Sequence, residues 1–375
     1  MEGWLFYDHH RRDELANRIL GLSEKLMTSR RWYYFIPASG EPRGLVHRIE
    51  PHSLDGLPGE RHLYSRWTEL HSGISDLLEG ALVVAMQYSP NNAVPYVSMV
   101  DGGTIDFLRS LRVDVRSSAN LVQLFEARWS DSQYEGHLEA GRRMDRIRAS
   151  AFDLIRSRIT TGTPVSEWDV HQFLHDQFHA NDLVTDHGPI VAVNANASDP
   201  HYEPSFERHS LICPGDLVLI DMWAKLNREN SVYYDITWTG FCGPVPTESV
   251  RNVFDVVTSA RDRGIEIVEA RAHTGQLHGF EVDDAVRGQI QHFGLAEYFI
   301  HRTGHSIGTN VHGSGANMDN FETHDDRRII PRTCFSIEPG VYLPEFGIRS
   351  EVNVYVADDG AGVTGEVQSD LVILG

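Results

Sequence analysis

Asp221, Asp235, His305, Glu338 and Glu351 are the residues of this chain whose types and spacing could do chemistry. The two aspartates stand 14 positions apart and the two glutamates 13. Each pair brackets a stretch that reads as two strands joined by a turn, and such a hairpin returns its outer residues to one another. Four carboxylates and one imidazole suit two divalent cations of the manganese, cobalt or zinc kind. Two such cations hold a bridging hydroxide at neutral pH, a nucleophile for hydrolysis.

The surroundings of these residues favour that reading. Asp221 follows the apolar run Leu217–Ile220, read as the end of a strand, and Asp235 lies between Tyr234 and Ile236. A carboxylate buried without a partner is costly, and a bound cation offsets that cost. His305 sits in Thr303-Gly304-His305-Ser306-Ile307-Gly308, where glycines let backbone approach a ligand closely, and His312 follows seven residues later. Glu338 ends an apolar run before the turn signal Pro339-Gly340. Glu351 precedes the alternating segment Val352–Val356. Arg349, two residues before Glu351, shares its strand face and is placed to orient a carboxylate ligand. Arg327 and Arg328 are candidates to grip a substrate carboxylate with two bonds, or else part of a solvated charged turn, Asp325–Arg328. His201, in Pro200-His201-Tyr202-Glu203-Pro204, reads on its own as part of a turn.

Two domains are expected to position these groups. In residues 1–129, strands are expected at Trp4–Tyr7, Trp32–Ile36, Leu82–Gln87 and Val113–Arg116, with helices at Arg11–Leu22 and Ser65–Leu78. That alternation predicts an α/β layer with a mostly parallel sheet. No Gly-rich phosphate loop follows any of these strands. Ser130 with Gln133, and Ser166 with Asp169, are helix-start signatures for helices running to about Ile159 and His179. Residues 130–375 then run helices, carboxylate hairpin, helices, carboxylate hairpin, which hints at an internal duplication.

Composition narrows the function classes. The formal net charge of −20 argues against nucleic acid and anionic membrane as partners. The three cysteines, Cys213, Cys242 and Cys334, are far apart and suggest a reducing compartment without a disulfide framework. No apolar run is long enough to span a bilayer, and the N-terminus lacks the pattern of a signal peptide. A cytoplasmic protein is expected.

In these residues and their contexts the chain resembles the pita-bread metallopeptidases, a group that includes aminopeptidase P, prolidase, methionine aminopeptidase and creatinase. The supporting pieces are His201-Tyr202-Glu203-Pro204, Asp235-Ile236-Thr237, Gly304–Gly308, Val311-His312 and Glu338-Pro339-Gly340-Val341-Tyr342, spread over roughly 160–375. The first 129 residues are similar to the creatinase-type N-domain of the proline-handling branch. The resemblance implies an α/β N-terminal domain and an α+β pita-bread catalytic domain with internal pseudo-twofold duplication. It implies an Xaa-Pro dipeptidase or aminopeptidase P acting on short proline-containing peptides through attack of a metal-bridging hydroxide. Asp221 and Asp235 would hold one metal, His305 and Glu338 the other, with Asp235 and Glu351 bridging. Glu338 would shuttle the proton, His312 would stabilise the oxyanion, and His201 would contact substrate near the proline. Tyr342 and Arg349 would order the ligands. Mn²⁺ is the expected ion, with Co²⁺ or Zn²⁺ as alternatives, and a homodimer is expected. A proline-specific carboxypeptidase, a creatinase-like amidinohydrolase and a non-catalytic binding protein are the competing readings. The chain departs from the family pattern at Trp223 and Trp238, expected to reshape the pocket, and at Met222, Gly313 and Val352.

Overall fold

The computed structural model describes residues 1–23, 25 and 27–375, and separates into two compact units, Met1–Glu126 and Ala127–Gly375. The expected boundary, 129/130, falls three residues after that division.

The first unit is a six-stranded sheet of β1 (Gly3–Asp8), β2 (Trp32–Pro37), β3 (Arg43–His47), β4 (Glu60–Tyr64), β5 (Val83–Met86) and β6 (Asp114–Ser117). Its spatial order is β4-β3-β2-β1-β5-β6. The β3–β4, β1–β5 and β5–β6 pairs are parallel, whereas β1–β2 and β2–β3 are antiparallel, so the sheet is mixed with three of its five pairings parallel. Strands β3 and β4 had no sequence signal; β4 exposes most of its side chains and carries no apolar run. Helices α1 (Glu14–Ile19), α2 (Trp67–Leu78), α3 (Gly102–Ser110) and α4 (Ala119–Glu126) cover the sheet. Leu70, Ile74 and Leu77 of α2 and Ile105 and Leu108 of α3 pack on one face; Leu15 and Ala16 of α1 and Ala119 and Val122 of α4 pack on the other. Helix α1 is shorter than the expected Arg11–Leu22. Asp13 caps it by accepting from the Ala16 N–H, and His10 and Arg11 take left-handed φ values of 62° and 53°.

In the second unit the capping boxes form as the sequence predicts. Ser130 and Gln133 start α5 (Asp131–Thr161), and Ser166 and Asp169 start α6 (Glu167–Ala180). Then follow β7 (Leu183–Val184), β8 (Ile190–Val193), β9 (Leu217–Leu226), β10 (Tyr234–Phe241), α7 (Glu248–Arg271), α8 (Gly279–His292), β11 (Ser306–Ile307) and β12 (Thr333–Ile337). Strands β13 (Gly340–Tyr342), β14 (Gly347–Arg349), β15 (Val352–Val356), β16 (Ala361–Val363) and β17 (Val372–Ile373) complete the chain. One sheet runs β17-β10-β9-β7 with β8 also on β9, a second runs β11-β12-β15-β16, and β13–β14 form a ribbon. The α5–α6 pair packs Met144, Phe152, Val170 and Leu174 onto Ile220, Met222, Tyr234 and Ile236. The α7–α8 pair repeats the arrangement, placing Val268 and Val282 against Phe335, Ile337, Val352 and Val354. Among the described residues no helix is long and apolar enough to cross a membrane.

Candidate metal centre

Strand register decides which side chains meet. On β9–β10, Asp221 faces Thr237 and Asp235 faces Trp223, so all four project from one side of the sheet. Asp221 sits in mid-strand, not at a strand end, because β9 continues to Leu226. Asn353 on β15 holds the Asp235 backbone at both polar atoms, accepting from its N–H at 3.2 Å and donating to its carbonyl at 2.7 Å. In the second half, Ile337 pairs with Val352 and Gly340 with Arg349. Glu338 and Glu351 therefore occupy facing positions between the two ladders. His305 enters from beside β11. Gly304 allows this, because a Cβ there would lie 1.9 Å from the Ser336 carbonyl oxygen.

The five residues converge. Asp235, His305 and Glu351 are buried and each offers a ligand atom within 4.8 Å of the others. His305 Nε2 lies 3.5 Å from Asp235 Oδ2 and 3.4 Å from Glu338 Oε1. Its Nδ1 lies 3.1 Å from the Ser306 carbonyl, a contact that puts the proton on Nδ1 and leaves the Nε2 lone pair facing the carboxylates. Ser336 Oγ donates to Glu338 Oε1 at 2.8 Å and accepts from the His305 N–H at 2.9 Å. Thr237 Oγ1 donates to Glu351 Oε2 at 2.8 Å and accepts from Arg349 Nε at 3.1 Å. Arg349 also donates to Asp221 Oδ2 at 2.5 Å and to the Tyr342 hydroxyl at 2.9 Å.

The electrostatics are those of carboxylates gathered out of water. Burial, then Asp221 and Glu338, push Asp235 well above the usual carboxylate range. Burial, then Asp235, Glu338 and Asp221, do the same to Glu351. Asp221 is raised by burial against the pull of Arg349. Burial also works to raise Glu338, but His305, His301 and Arg349 outweigh it and hold Glu338 below its ordinary value. Burial lowers His305 below the usual imidazole value against the pull of Glu338. Two buried oxygens here, Asp235 Oδ1 and Glu351 Oε1, have no hydrogen-bond partner. Orphaned carboxylate oxygens are costly. Here both belong to the residues that supply the ligand cage, beside an imidazole lone pair, so the donor set fits divalent cations.

The other expected site residues are placed unequally. His312 brings its ring 4.4 Å from that of His305, edge to face. Loss of hydration against the protein, with His305 and Arg302 beside it, lowers its pKa to about 3, although the residue as a whole reaches solvent. Tyr342 is buried and joins Arg349. His201 is exposed, with its backbone N–H on Asp199, and no described contact links its ring to the cluster. Arg327 is neither solvated nor available to a substrate: it is 1% exposed, donates to both Asp325 oxygens at 2.9 and 2.5 Å, and donates to the Ser314 carbonyl at 2.9 Å. Arg328 is exposed on the same segment. Trp223 shares the face of the aspartates, but Trp238 does not: it lies on the far side of β10, with the Arg148 guanidinium 3.5 Å over its ring. Strand alternation, which the sequence reading passed over at this position, separates the two tryptophans.

Sequence reasoning missed His301. Its Nε2 is 2.7 Å from the Tyr342 hydroxyl, and burial lowers its pKa to about 4. It thereby extends a chain His301–Tyr342–Arg349–Asp221. Thr237 and Asn353 were likewise not read as supports of the carboxylates. Only the two-residue spacing of Thr237 from Asp235, which puts both on one strand face, could have signalled the first.

The sequence profile of metallopeptidase family M24 matches residues 135–358, more than half of the chain. The chain belongs to this family. Family M24 membership implies divalent-metal binding, and a buried Asp/His/Glu group is present in this chain. The M24 chain is 28% identical over 267 residues to an Xaa-Pro dipeptidase of Lactobacillus helveticus, covering 70% of this chain and 65% of that one. It thus spans less than two thirds of the curated relatives it matches first. The structure is similar to a prolidase from Thermococcus sibiricus (TM-score 0.60, 21% identity, 100% of this chain and 94% of that one). It is also similar to dipeptidase PepE from Mycobacterium ulcerans (TM-score 0.67, 22% identity, 100% and 93%). The fold is accordingly an α/β N-terminal domain followed by a pita-bread domain with internal pseudo-twofold duplication.

Proposed function

We propose that this M24 protein is a dinuclear-metal peptidase that hydrolyses the peptide bond next to proline in short peptides, of the Xaa-Pro dipeptidase or aminopeptidase P type. The observation that carries the reading is the convergence of four carboxylates on one imidazole, with Asp235 Oδ1 and Glu351 Oε1 buried and unpartnered. Asp221, Asp235, His305, Glu338 and Glu351 would hold two divalent ions, Mn²⁺ foremost. When bound, such ions supply an activated water and polarise the scissile carbonyl. Glu338 would take the proton and pass it to the departing nitrogen. His312, kept neutral beside His305, is placed to donate to the developing oxyanion. Arg349 would orient Asp221, and Tyr342 would hold Arg349 in place. His201 contacts substrate on this reading through a loop that must approach the cluster. A homodimer belongs to the same proposal, as do the creatinase-type role of the first unit and a cytoplasmic location.

The Arg327 ion pair weighs against the carboxypeptidase alternative, which leaves Arg328 as its candidate for a free carboxylate. The test is an activity panel on chelator-stripped protein refilled with Mn²⁺. It holds an Xaa-Pro dipeptide, an Xaa-Pro-Yaa tripeptide and a longer peptide ending in proline. Cleavage of the dipeptide alone assigns a dipeptidase; cleavage of the first bond of the tripeptide assigns an aminopeptidase. Release of C-terminal proline reinstates the carboxypeptidase, and absence of any metal-dependent cleavage rejects the peptidase.

A further inference from the structure

The first unit holds a cavity of about 940 Å³ that none of the chemistry above uses. It opens beyond the carboxyl ends of β1, β3 and β4, between α2 and α3. Strand β1 is where the sheet order turns, with β2, β3 and β4 on one side and β5 and β6 on the other. In open α/β sheets the space beyond the carboxyl ends of the strands is a common place for ligands.

The lining is chemically divided. Its floor is the buried Tyr7, Tyr33, Tyr64, Leu70 and Ile74. Its rim carries His9, His10, Arg12, Arg30 and Arg31. Among the described lining residues Asp101 is the one acid, and it is committed to the Thr104 N–H at 2.9 Å and the Thr104 hydroxyl at 3.0 Å. The ion pairs of this unit lie elsewhere, as at Arg18–Glu126 and Arg61–Asp55; among the described residues none involves Arg12, Arg30 or Arg31. Two of these guanidiniums are nonetheless positioned by neutral acceptors: Arg12 Nε on the His9 carbonyl at 3.0 Å, and Arg30 Nη1 on Ser29 Oγ at 3.0 Å. Burial, then His10, Arg12 and Arg31, lower His9 below the usual imidazole value against the pull of Asp8, consistent with the basic groups gathered at the rim. Flat surfaces stand beside this charge. Trp67 is 67% exposed with its ring 5.3 Å from His71, whose ring lies 4.1 Å from Phe107. In a chain of net charge −20, three arginines gathered beside the exposed Trp67 ring, with Glu50 and Asp101 as the nearby acids and no ion pair closed to either among the described residues, are a local excess of positive charge.

We propose that this cavity is a binding site for a small organic anion carrying a flat ring. Arg12, Arg30 and Arg31 hold its carboxylate or phosphate, and Trp67, His71 and Phe107 hold the ring. Guanidiniums suit either oxyanion, and exposed tryptophan offers stacking area at small entropic cost. The volume matches sites that enclose a small molecule. The site stands independently of the peptidase reading.

The test is calorimetric titration of the full-length protein with AMP and with N-acetyl-L-tryptophan. Adenosine and N-acetyl-L-tryptophanamide serve as neutral counterparts. Every titration is repeated on metal-free Asp235→Asn, so that anion binding at the carboxylate cluster is recognised. At least one anion is expected to bind both proteins equally, and its neutral counterpart to bind about tenfold or more weakly. Arg12→Gln/Arg31→Gln is expected to weaken binding about tenfold or more at an unchanged melting temperature. Binding of AMP alone identifies the source as a nucleoside phosphate, and binding of N-acetyltryptophan alone as an aromatic carboxylate. Should the double variant fail to fold, affinity that falls with rising salt supports the charge-based site in its place. The proposal is overturned if neither anion binds at millimolar concentration, if neutral counterparts bind equally, or if the folded double variant binds as wild type. It is likewise overturned if the double variant dissociates a dimer without any anion binding, which assigns the surface to a subunit contact.

Discussion

The aspartate pair and the glutamate pair reach the same cluster by different means. Asp221 and Asp235 project from inside an unbroken ladder, where eight consecutive residue pairs hold the backbone. Glu338 and Glu351 come from the interruption between two ladders, where each backbone is held by one bond to another segment: the Glu338 N–H to the Thr303 carbonyl at 2.8 Å and the Glu351 N–H to the Thr237 carbonyl at 3.1 Å. The short side chains need a backbone held close to the cluster; the long ones reach in from a gap and are oriented by side-chain hydrogen bonds. Ser336 steers Glu338, and Thr237 steers Glu351 from across the cluster. One half of the site is positioned by a continuous ladder, and the other by single backbone bonds to neighbouring segments together with hydroxyls on the side chains.

That contrast can be broken or sharpened by substitution. Asp235→Asn, isosteric on the rigid side, is expected to lower Mn²⁺-dependent kcat/KM by on the order of 1,000-fold. Retention of a tenth of the activity would mean that the cluster does not work as a unit. Thr237→Val removes the hydroxyl that joins Glu351 to Arg349 while keeping the shape. A loss of roughly 10–100-fold in metal affinity or activity is expected, read by metal titration and kinetics. A loss below twofold would show that Glu351 needs no steering.

A third prediction concerns the metal-free protein. Burial raises Asp221, Asp235 and Glu351 in the folded state, so the stability tied to their protonated forms is complete below the unfolded carboxylate value, about 4. It is lost as pH rises through the raised folded values. Glu338 is shifted the opposite way and opposes this trend. The melting temperature of metal-free wild type is therefore expected to fall relative to Asp235→Asn as pH rises, and Mn²⁺ to reduce the difference. Parallel curves would refute the assignment of strain to Asp235. The smallest effect is expected at the tryptophans: Trp238→Phe, on the far face of β10, should change kcat/KM by less than about twofold. Trp223→Phe should change the preference among Xaa-Pro substrates. Equal effects would mean that the strand face does not matter.

The site was more legible in the sequence than the scaffold. Carboxylates embedded in apolar runs stand out because a strand interior offers them no water, and both capping boxes announced their helices. Strand β4 was invisible because its exposed side chains leave no alternation to read. Arg327 was misleading because a run of two acids and two bases reads as solvated charge. The fold instead buries Asp325, which also accepts from the Asn317 N–H at 2.8 Å, and encloses its partner with it. His301 carried no signal, since nothing local distinguishes an imidazole that will meet a tyrosine 41 residues on.

The glutamate ribbon has a consequence for how such chains diverge. Its pairing is counted outward from Ile337–Val352 and continues to Tyr342–Gly347, and it closes in a turn where the Leu343 N–H meets the Phe346 carbonyl at 3.0 Å. Residues added at the exposed tip, between Pro344 and Glu345, lengthen the loop without changing which positions face each other lower down. A single residue added between Glu338 and Gly340 turns one glutamate away from the other. The interval of 13 between the glutamates is thus free to drift in descendants of this chain, while the few residues on either side of each are not. A search keyed to that interval would lose such descendants, and one keyed to the flanking residues would keep them.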